Sequence, residues 1–168
     1  MSAEQELVIE DHEYLTFKLG GEEFGVDILS VQEIRVWSPV TEIPNTPDYL
    51  NGVINLRGVI VPIIDLRRRF NHSVKEHDAT TVVIVLQGVV SDKRSMVGIV
   101  VDEVSDVCKV EHSAVKDAPD FGSRVDNRFI EGMATMENHI IILLNSEKLL
   151  DVEELFHQVD EKSQQVAG

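Results

Sequence analysis

The stretch Asn55-Leu56-Arg57-Gly58-Val59-Ile60-Val61-Pro62-Ile63-Ile64-Asp65-Leu66 decides the fold class. Gly52 to Leu56 and Val59 to Ile64 are β-branched runs on either side of Arg57-Gly58, and two such runs around a turn glycine read as a β-hairpin. Asp65 follows, with a carboxylate able to accept from the N–H groups that a helix start leaves unpaired, so it caps a helical turn through Phe70. Upstream, Leu15, Phe17 and Leu19 alternate with Tyr14, Thr16 and Lys18, the period of a half-buried strand. Gly20-Gly21 supplies a turn, and the return strand carries Phe24, Val26 and Ile28 on one face and Gly25 and Asp27 on the other. Asp27 can cap a short helix through Ile34, because Ile28, Val31 and Ile34 recur at helical spacing; Val31 to Val36 reads equally as a strand, and both readings stay open. Pro39, Pro44 and Pro47 permit only short elements in the next stretch.

Downstream, Thr80 to Leu86 and Met96 to Val104 read as strands joined across a polar loop near Ser91-Asp92-Lys93-Arg94. Phe129 to Thr135 and His139 to Leu144 form another pair turning at Glu137-Asn138, and Asn145 or Ser146 caps a terminal helix. About eight short strands with few helices argue for an all-β sandwich or barrel. The halves share no clear residue-level repeat, so any pseudo-symmetry is structural. Residues 1–12 and 160–168 are polar or charged and read as loosely held tails around a folded unit from about Glu13 to Val159.

The 168 residues suffice for a compact domain that buries roughly 70% of its unfolded surface. Hydrophobic residues at 43% and charged residues at 27% are ordinary for a globular chain. Fifteen Lys and Arg stand against thirty Asp and Glu, a formal charge of -15. That field repels phosphate backbones and anionic membranes, and the one basic run, Arg67-Arg68-Arg69, is short and isolated. Nucleic acid is therefore not an expected partner. The single cysteine, Cys108, makes no internal disulfide. Met1 to Glu13 has acidic residues and no Lys or Arg, the reverse of a signal peptide, and no apolar run approaches the ~18 residues of a membrane span. The expected location is cytoplasmic, without membrane insertion.

Fingerprints of catalysis are missing: there is no G-x-G-x-x-G, no Walker-type loop, no G-x-S-x-G and no H-E-x-x-H. His72 and His77 lie beside Glu76 and Asp78 in a polar stretch, but zinc sites need three or four converging ligands, so a solvated loop is the better reading and no metal or cofactor is expected. Cys108 with His112 suggests a thiolate nucleophile only weakly, since a cysteine after an apolar strand is usually a small buried hydrophobe. Asp65 and Asp102 end strands, where capping or turn roles explain them. Phe121, in a turn-rich polar segment, is either an interface anchor or a core plug. Arg57 alone reads as a solvated hairpin residue.

The stretch from Asn55 to Leu66 also resembles the signature of the CheW family of chemotaxis coupling proteins. Gly25-Val26-Asp27-Ile28, Val31-Gln32-Glu33-Ile34-Arg35, Asn45-Thr46-Pro47 and Val97-Gly98-Ile99-Val100-Val101-Asp102-Glu103-Val104 match in the family's order, so the resemblance spans about Tyr14 to Leu150. It implies two packed five-stranded SH3-like barrels with short helices and a hydrophobic seam between them. The expected division is a domain over residues 13–159, with interleaved subdomains mainly about 22–80 and 81–145. The polar loop from Gly88 to Ser95 departs from the family's tightest connection.

CheW-like proteins link membrane chemoreceptors to the histidine kinase CheA within the signalling array. By that resemblance Val31, Glu33, Ile34 and Arg57 face the receptor signalling tip and Gly98 sits near its groove. Val40, Thr41 and Ile43 on one side, and Lys116 and Phe121 on the other, face the kinase regulatory domain. CheA and CheV carry the same domain with further domains, for which 168 residues leave no room, so a free-standing adaptor without catalytic activity is expected. The competing class is a small β-barrel enzyme or ligand-binding protein using Asp65, Asp102 or Cys108, which needs a deep pocket with converging polar groups.

Overall fold

A computed structural model describes residues 11–70, 79–117 and 127–151. The strands are β1 (Asp11–Leu19), β2 (Glu22–Asp27), β3 (Val31–Val36), β4 (Leu50–Leu56), β5 (Val59–Asp65), β6 (Val82–Val90), β7 (Lys93–Val101), β8 (Glu103–Glu111), β9 (Val115–Lys116), β10 (Ile130–Met136) and β11 (His139–Leu144). Two short helices, α1 (Leu66–Arg69) and α2 (Ser146–Leu150), and 3-10 turns η1 (Ile28–Ser30), η2 (His112–Ala114) and η3 (Asn127–Phe129) join them. The hairpin read at Arg57-Gly58 is present, with φ of 50° and 90° at the turn residues. Asp65 caps α1 by accepting from the Arg67 N–H at 3.1 Å, and Asn145 caps α2 by accepting from the Lys148 N–H at 3.2 Å. The open choice after Asp27 resolves into both readings. Asp27 accepts from the Leu29 N–H at 2.9 Å to start η1, and Val31 to Val36 then runs as a strand.

The strands form two sheets, one ordered β8-β1-β2-β11-β10-β9 and the other β3-β6-β7-β5-β4. The expected five and five is thus six and five, because two-residue β9 pairs with β10 through Met133 and Ala134. Three apolar cores follow from this arrangement. Leu56, Val61, Ile63, Val83, Val85 and Val100 fill the five-stranded sheet, while Tyr14, Val110, Ala134, Ile141 and Leu143 fill the six-stranded one. The largest core draws on both, with Phe17, Phe24 and Phe129 from one side and Ile64, Phe70, Ile84 and Ile99 from the other. This is the hydrophobic seam that the resemblance implied.

Sheet membership does not change near residue 80. β2 lies in the six-stranded sheet, and β6 and β7 lie in the five-stranded one. The five-stranded sheet takes hairpin β6–β7 from the second half of the chain and hairpin β4–β5 plus edge strand β3 from the first; the six-stranded sheet takes hairpin β1–β2 from the first half and hairpin β10–β11 plus edge strands β8 and β9 from the second. Each consists of three antiparallel strands joined through a parallel pair to a second hairpin, the parallel pairs being β5 with β7 and β2 with β11. The likeness extends to the pairing registers, with glycine at two of the equivalent positions. Pairing slips between Leu50 and Gly52 and again between Ile130 and Gly132. Thr41 bridges to Val53 where Lys116 pairs with Met133. Ile63 faces Gly98 where Leu143 faces Gly25.

Other departures are local. Residues 88–95 are no loop: β6 and β7 continue to Val90 and from Lys93, and Ser91-Asp92 turns with φ of 50° and 65°, the doubly left-handed geometry whose twist suits a two-residue hairpin. The chain from Glu103 to Glu111, not expected as an element beyond Val104, is the edge strand β8. The histidines and carboxylates at 72–78 and residues 1–10 and 160–168 lie outside the described residues, but Asp11 and His12, expected in the N-terminal tail, open β1, where they pair with Glu111 and Val110.

Candidate functional site

Arg57 projects from the β4–β5 turn, with its side chain 66% exposed, and donates to the Glu33 carboxylate on β3. Glu33 also accepts from Arg35 Nη1 at 3.1 Å. One carboxylate thus holds two guanidinium groups and ties the hairpin tip to the sheet's edge strand. The hydrogen bond from Arg57 lowers the Glu33 pKa; partial desolvation opposes this, and Arg35 adds to the lowering. Three apolar side chains stand exposed around this end of the sheet: Ile34 on β3 and Val59 and Ile60 on β5. Val31 is half-buried against the shared core. The structure therefore brings Glu33 and Arg57 together and adds Arg35, which the sequence reading did not single out, while Ile34, next to Glu33 on β3, belongs to the opposite face of the strand. The alternation in Val31-Gln32-Glu33-Ile34-Arg35 carried the signal for Arg35.

Gly98 is a different case. It is buried in β7, and a Cβ there would lie 2.6 Å from Ile63 Cδ1 and 2.9 Å from Val83 Cγ1. Its place is the packing of the five-stranded sheet, so its influence on an exposed surface is indirect.

Val40, Thr41 and Ile43 lie on the β3–β4 connection. Thr41 and Val53 exchange backbone hydrogen bonds of 3.1 and 2.9 Å, which lays this connection along β4. That approach requires a glycine opposite. Gly52 has φ of 148°, and a Cβ would sit 2.3 Å from the Thr41 carbonyl oxygen. Behind the connection lies a cavity of about 610 Å³ lined by Trp37, Val40, Ile43, Asp48, Asp65 and Arg68 among others. Ile43 is an exposed part of that lining, and Thr41 is exposed on the same connection. Lys116 is exposed on β9, the place in the six-stranded sheet equivalent to that of Thr41. Phe121 lies outside the described residues.

Of the two carboxylates buried among the described residues, Asp65 borders the cavity behind the β3–β4 connection and Asp102 does not, and both are turned to the same guanidinium. Asp65 and Asp102 both engage Arg67, whose Nε and Nη2 donate to the two Asp65 oxygens at 2.9 Å and whose Nη1 donates to Asp102 at 3.1 Å. Burial alone lowers the Arg67 pKa, but these hydrogen bonds and charges outweigh it and leave it raised. Cys108 is half-buried, and burial pushes its thiol up, away from the thiolate a nucleophile needs. Among the described residues no group of three or more His, Cys, Asp and Glu is placed to hold a metal ion. Among the same residues no helix is long and apolar enough to cross a membrane.

A two-sheet β body with separate exposed surfaces, its central charges paired with one another, defines a protein-docking scaffold. A family model described as CheW-like domain matches residues 13–154. The chain is 48% identical over 143 residues to the chemotaxis protein CheW of Klebsiella aerogenes, covering 85% of this chain and 84% of that protein. It is 32% identical over 139 residues to the chemotaxis protein CheW of Bacillus subtilis, covering 83% and 86%. Among solved structures, that of the scaffolding protein TtCheW from Thermoanaerobacter tengcongensis matches with a TM-score of 0.74 at 29% identity, over 85% of this chain and 90% of that one. The chain belongs to the CheW-like family. It is a chemotaxis adaptor of the scaffold type, built on a pair of SH3-like β units.

Proposed function

We propose that this adaptor couples chemoreceptor signalling tips to the regulatory domain of the histidine kinase CheA, in the cytoplasm and without catalysing a reaction. The carrying observation is the Arg57–Glu33 pair, with Ile34 exposed on β3 and Val59 and Ile60 exposed on β5. A guanidinium oriented by a carboxylate beside apolar side chains suits a helical partner that offers acceptors and an apolar stripe. On this reading Val31, Glu33, Ile34 and Arg57 serve the receptor, and Gly98 acts through packing. Val40, Thr41 and Ile43 on one sheet, and Lys116 with Phe121 beyond β9, serve the kinase.

The test is a pair of titrations, of wild type and of Arg57→Ala, against a receptor tip fragment and the kinase regulatory domain, with a thermal melt of each protein. Arg57→Ala and Arg57→Lys are both expected to weaken tip binding, because an ammonium does not reproduce the forked donor geometry. The loss is about 2 to 5 kcal/mol if the contact is desolvated, and smaller, mainly in association rate, at an exposed rim. Melts and kinase binding stay near wild type, since a mostly exposed ion pair contributes about 0 to 1 kcal/mol to folding. Unchanged tip affinity removes Arg57 from the surface, and a collapsed melt makes it a structural residue.

A further inference from the structure

The basic run Arg67-Arg68-Arg69, short and isolated in the sequence, is mostly turned inward. Arg67 is 0% and Arg69 3% exposed. The run forms α1, directly after β5 of the five-stranded sheet, yet each of these buried guanidinium groups reaches toward the other sheet. Arg67 grips Asp65 with two donors and Asp102 with a third. Asp102 sits between β7 and β8, where the chain crosses from one sheet to the other. Its Oδ2 accepts from the Gly20 N–H at 2.8 Å, its own N–H donates to the Lys18 carbonyl at 3.0 Å, and its carbonyl accepts from the Thr80 hydroxyl at 3.0 Å. Arg69 places its guanidinium 5.5 Å from the Tyr49 ring centre and 5.0 Å from that of Phe129, one aromatic before β4 and the other before β10. Arg68 points outward, 3.8 Å from both Asp48 and Asp65, and lines the cavity behind Val40 and Ile43.

We propose that Arg67, held between Asp65 and Asp102, is a positioning residue that fixes one sheet against the other and so keeps docking surfaces carried on different sheets in register. A buried ion cluster gives little net stability over apolar residues of the same volume, because desolvation offsets the attraction. What it supplies is geometry. Apolar contacts are non-directional, whereas a planar fork with three fixed acceptors has one good arrangement. The pair Arg57–Glu33 lies within the five-stranded sheet, but Thr41 and Lys116 lie on opposite sheets. Loosening the cluster therefore disturbs any assembly that engages both of these last two surfaces. The inference rests on the two-surface reading above for its consequences, and on the cluster alone for the geometry.

The experiment uses Asp102→Asn, which keeps an acceptor for the Gly20 N–H but removes the charge facing Arg67, together with Arg67→Met. Spin labels at Asp92 and Glu137, the tips of hairpins in different sheets, report the inter-sheet distance in the full chain with Cys108→Ala. Wild type is expected to give one narrow distance distribution and both variants a broader or shifted one. Co-sedimentation of tip and kinase regulatory domain into assemblies should fall about fivefold or more. If the variants melt earlier but keep the wild-type distances, Arg67 is only a stabilising residue and the proposal is overturned. Unchanged assembly in variants whose distance distribution does broaden overturns it as well, since the joint between sheets then does not govern docking. Should Arg67→Met not fold, Asp102→Asn decides alone. Failure of the wild type to bind either partner counts against the coupling function and leaves the distance measurement standing.

Discussion

Two carboxylates on opposite sheets illustrate how a side chain's surroundings set its pH response. Glu33 is held below the usual carboxylate range, chiefly by the hydrogen bond from Arg57. A lowered value means that the pair's contribution is complete above the unfolded pKa of ~4.3 and is lost only as pH falls through the still lower folded value. Tip binding through this pair should therefore be flat from about pH 8 to 5 and decline only below. Glu33→Gln should remove that acid limb, as a pH series of titrations on both proteins checks. Glu131 has the opposite sign. Desolvation raises its pKa, with the charge of Asp27 adding and the Tyr14 hydrogen bond opposing. Between the ordinary and the raised value the folded state binds more protons than the unfolded one, so stability falls as pH rises through that window and the cost persists above it. Glu131→Gln keeps an acceptor for Tyr14 and should raise the melting temperature at pH 7, a gain that vanishes below about pH 4. A lower melting temperature at pH 7 would show the Glu131 charge to be stabilising.

Among the elements, the β3–β4 connection depends most on a single backbone position. Gly52→Ala forces a Cβ against the Thr41 carbonyl at a φ of 148°, so a loss of about 2 to 3 kcal/mol is expected. Faster hydrogen exchange should appear at the Thr41 amide, which donates to the Val53 carbonyl at 3.1 Å, while the Arg57 end stays intact. A melt and an exchange time course test this, and unchanged protection at Thr41 would mean that the connection is held from elsewhere. The sequence made the hairpin at Arg57-Gly58, the strand His139–Leu144 and the caps Asp65 and Asn145 legible, because each depends on neighbours along the chain. β8 was hidden because Asp106 interrupts the apolar set Val104, Cys108 and Val110, and Val107 on the other face is exposed. The turn at Ser91-Asp92 was hidden because neither residue is a glycine, although both have positive φ. The sheet to which β6 and β7 belong has no local signature at all, since pairing of β5 with β7 joins residues such as Ile63 and Gly98 from distant parts of the chain. The Arg57–Glu33 contact was hidden for the same reason, and only the family resemblance placed both residues on one surface.

At the scale of the whole molecule, charge sets which partners are excluded. A formal charge of -15 leaves anion binding only where cations cluster locally, and the one basic run spends its charge inside the fold. Arg67 answers Asp65 and Asp102, and Arg69 lies between the rings of Tyr49 and Phe129. Arg68, its side chain 44% exposed, already has Asp48 and Asp65 within 3.8 Å. Affinity for a nucleic-acid backbone grows with the number of phosphates neutralised, through release of condensed counterions, and a surface offering about one such contact gains almost nothing against the repulsion of the whole. Purified protein should therefore give no anisotropy change with short single- or double-stranded DNA or RNA at concentrations up to about 100 µM in physiological salt, the weak end of ordinary non-specific binding. The measurement should be repeated at low salt, where any electrostatic contact is strongest. Micromolar binding that weakens steeply as salt is added would mean that cations outside α1 gather into a face strong enough to overcome the acidic field, and it would overturn the reading of this molecule as a scaffold for proteins alone.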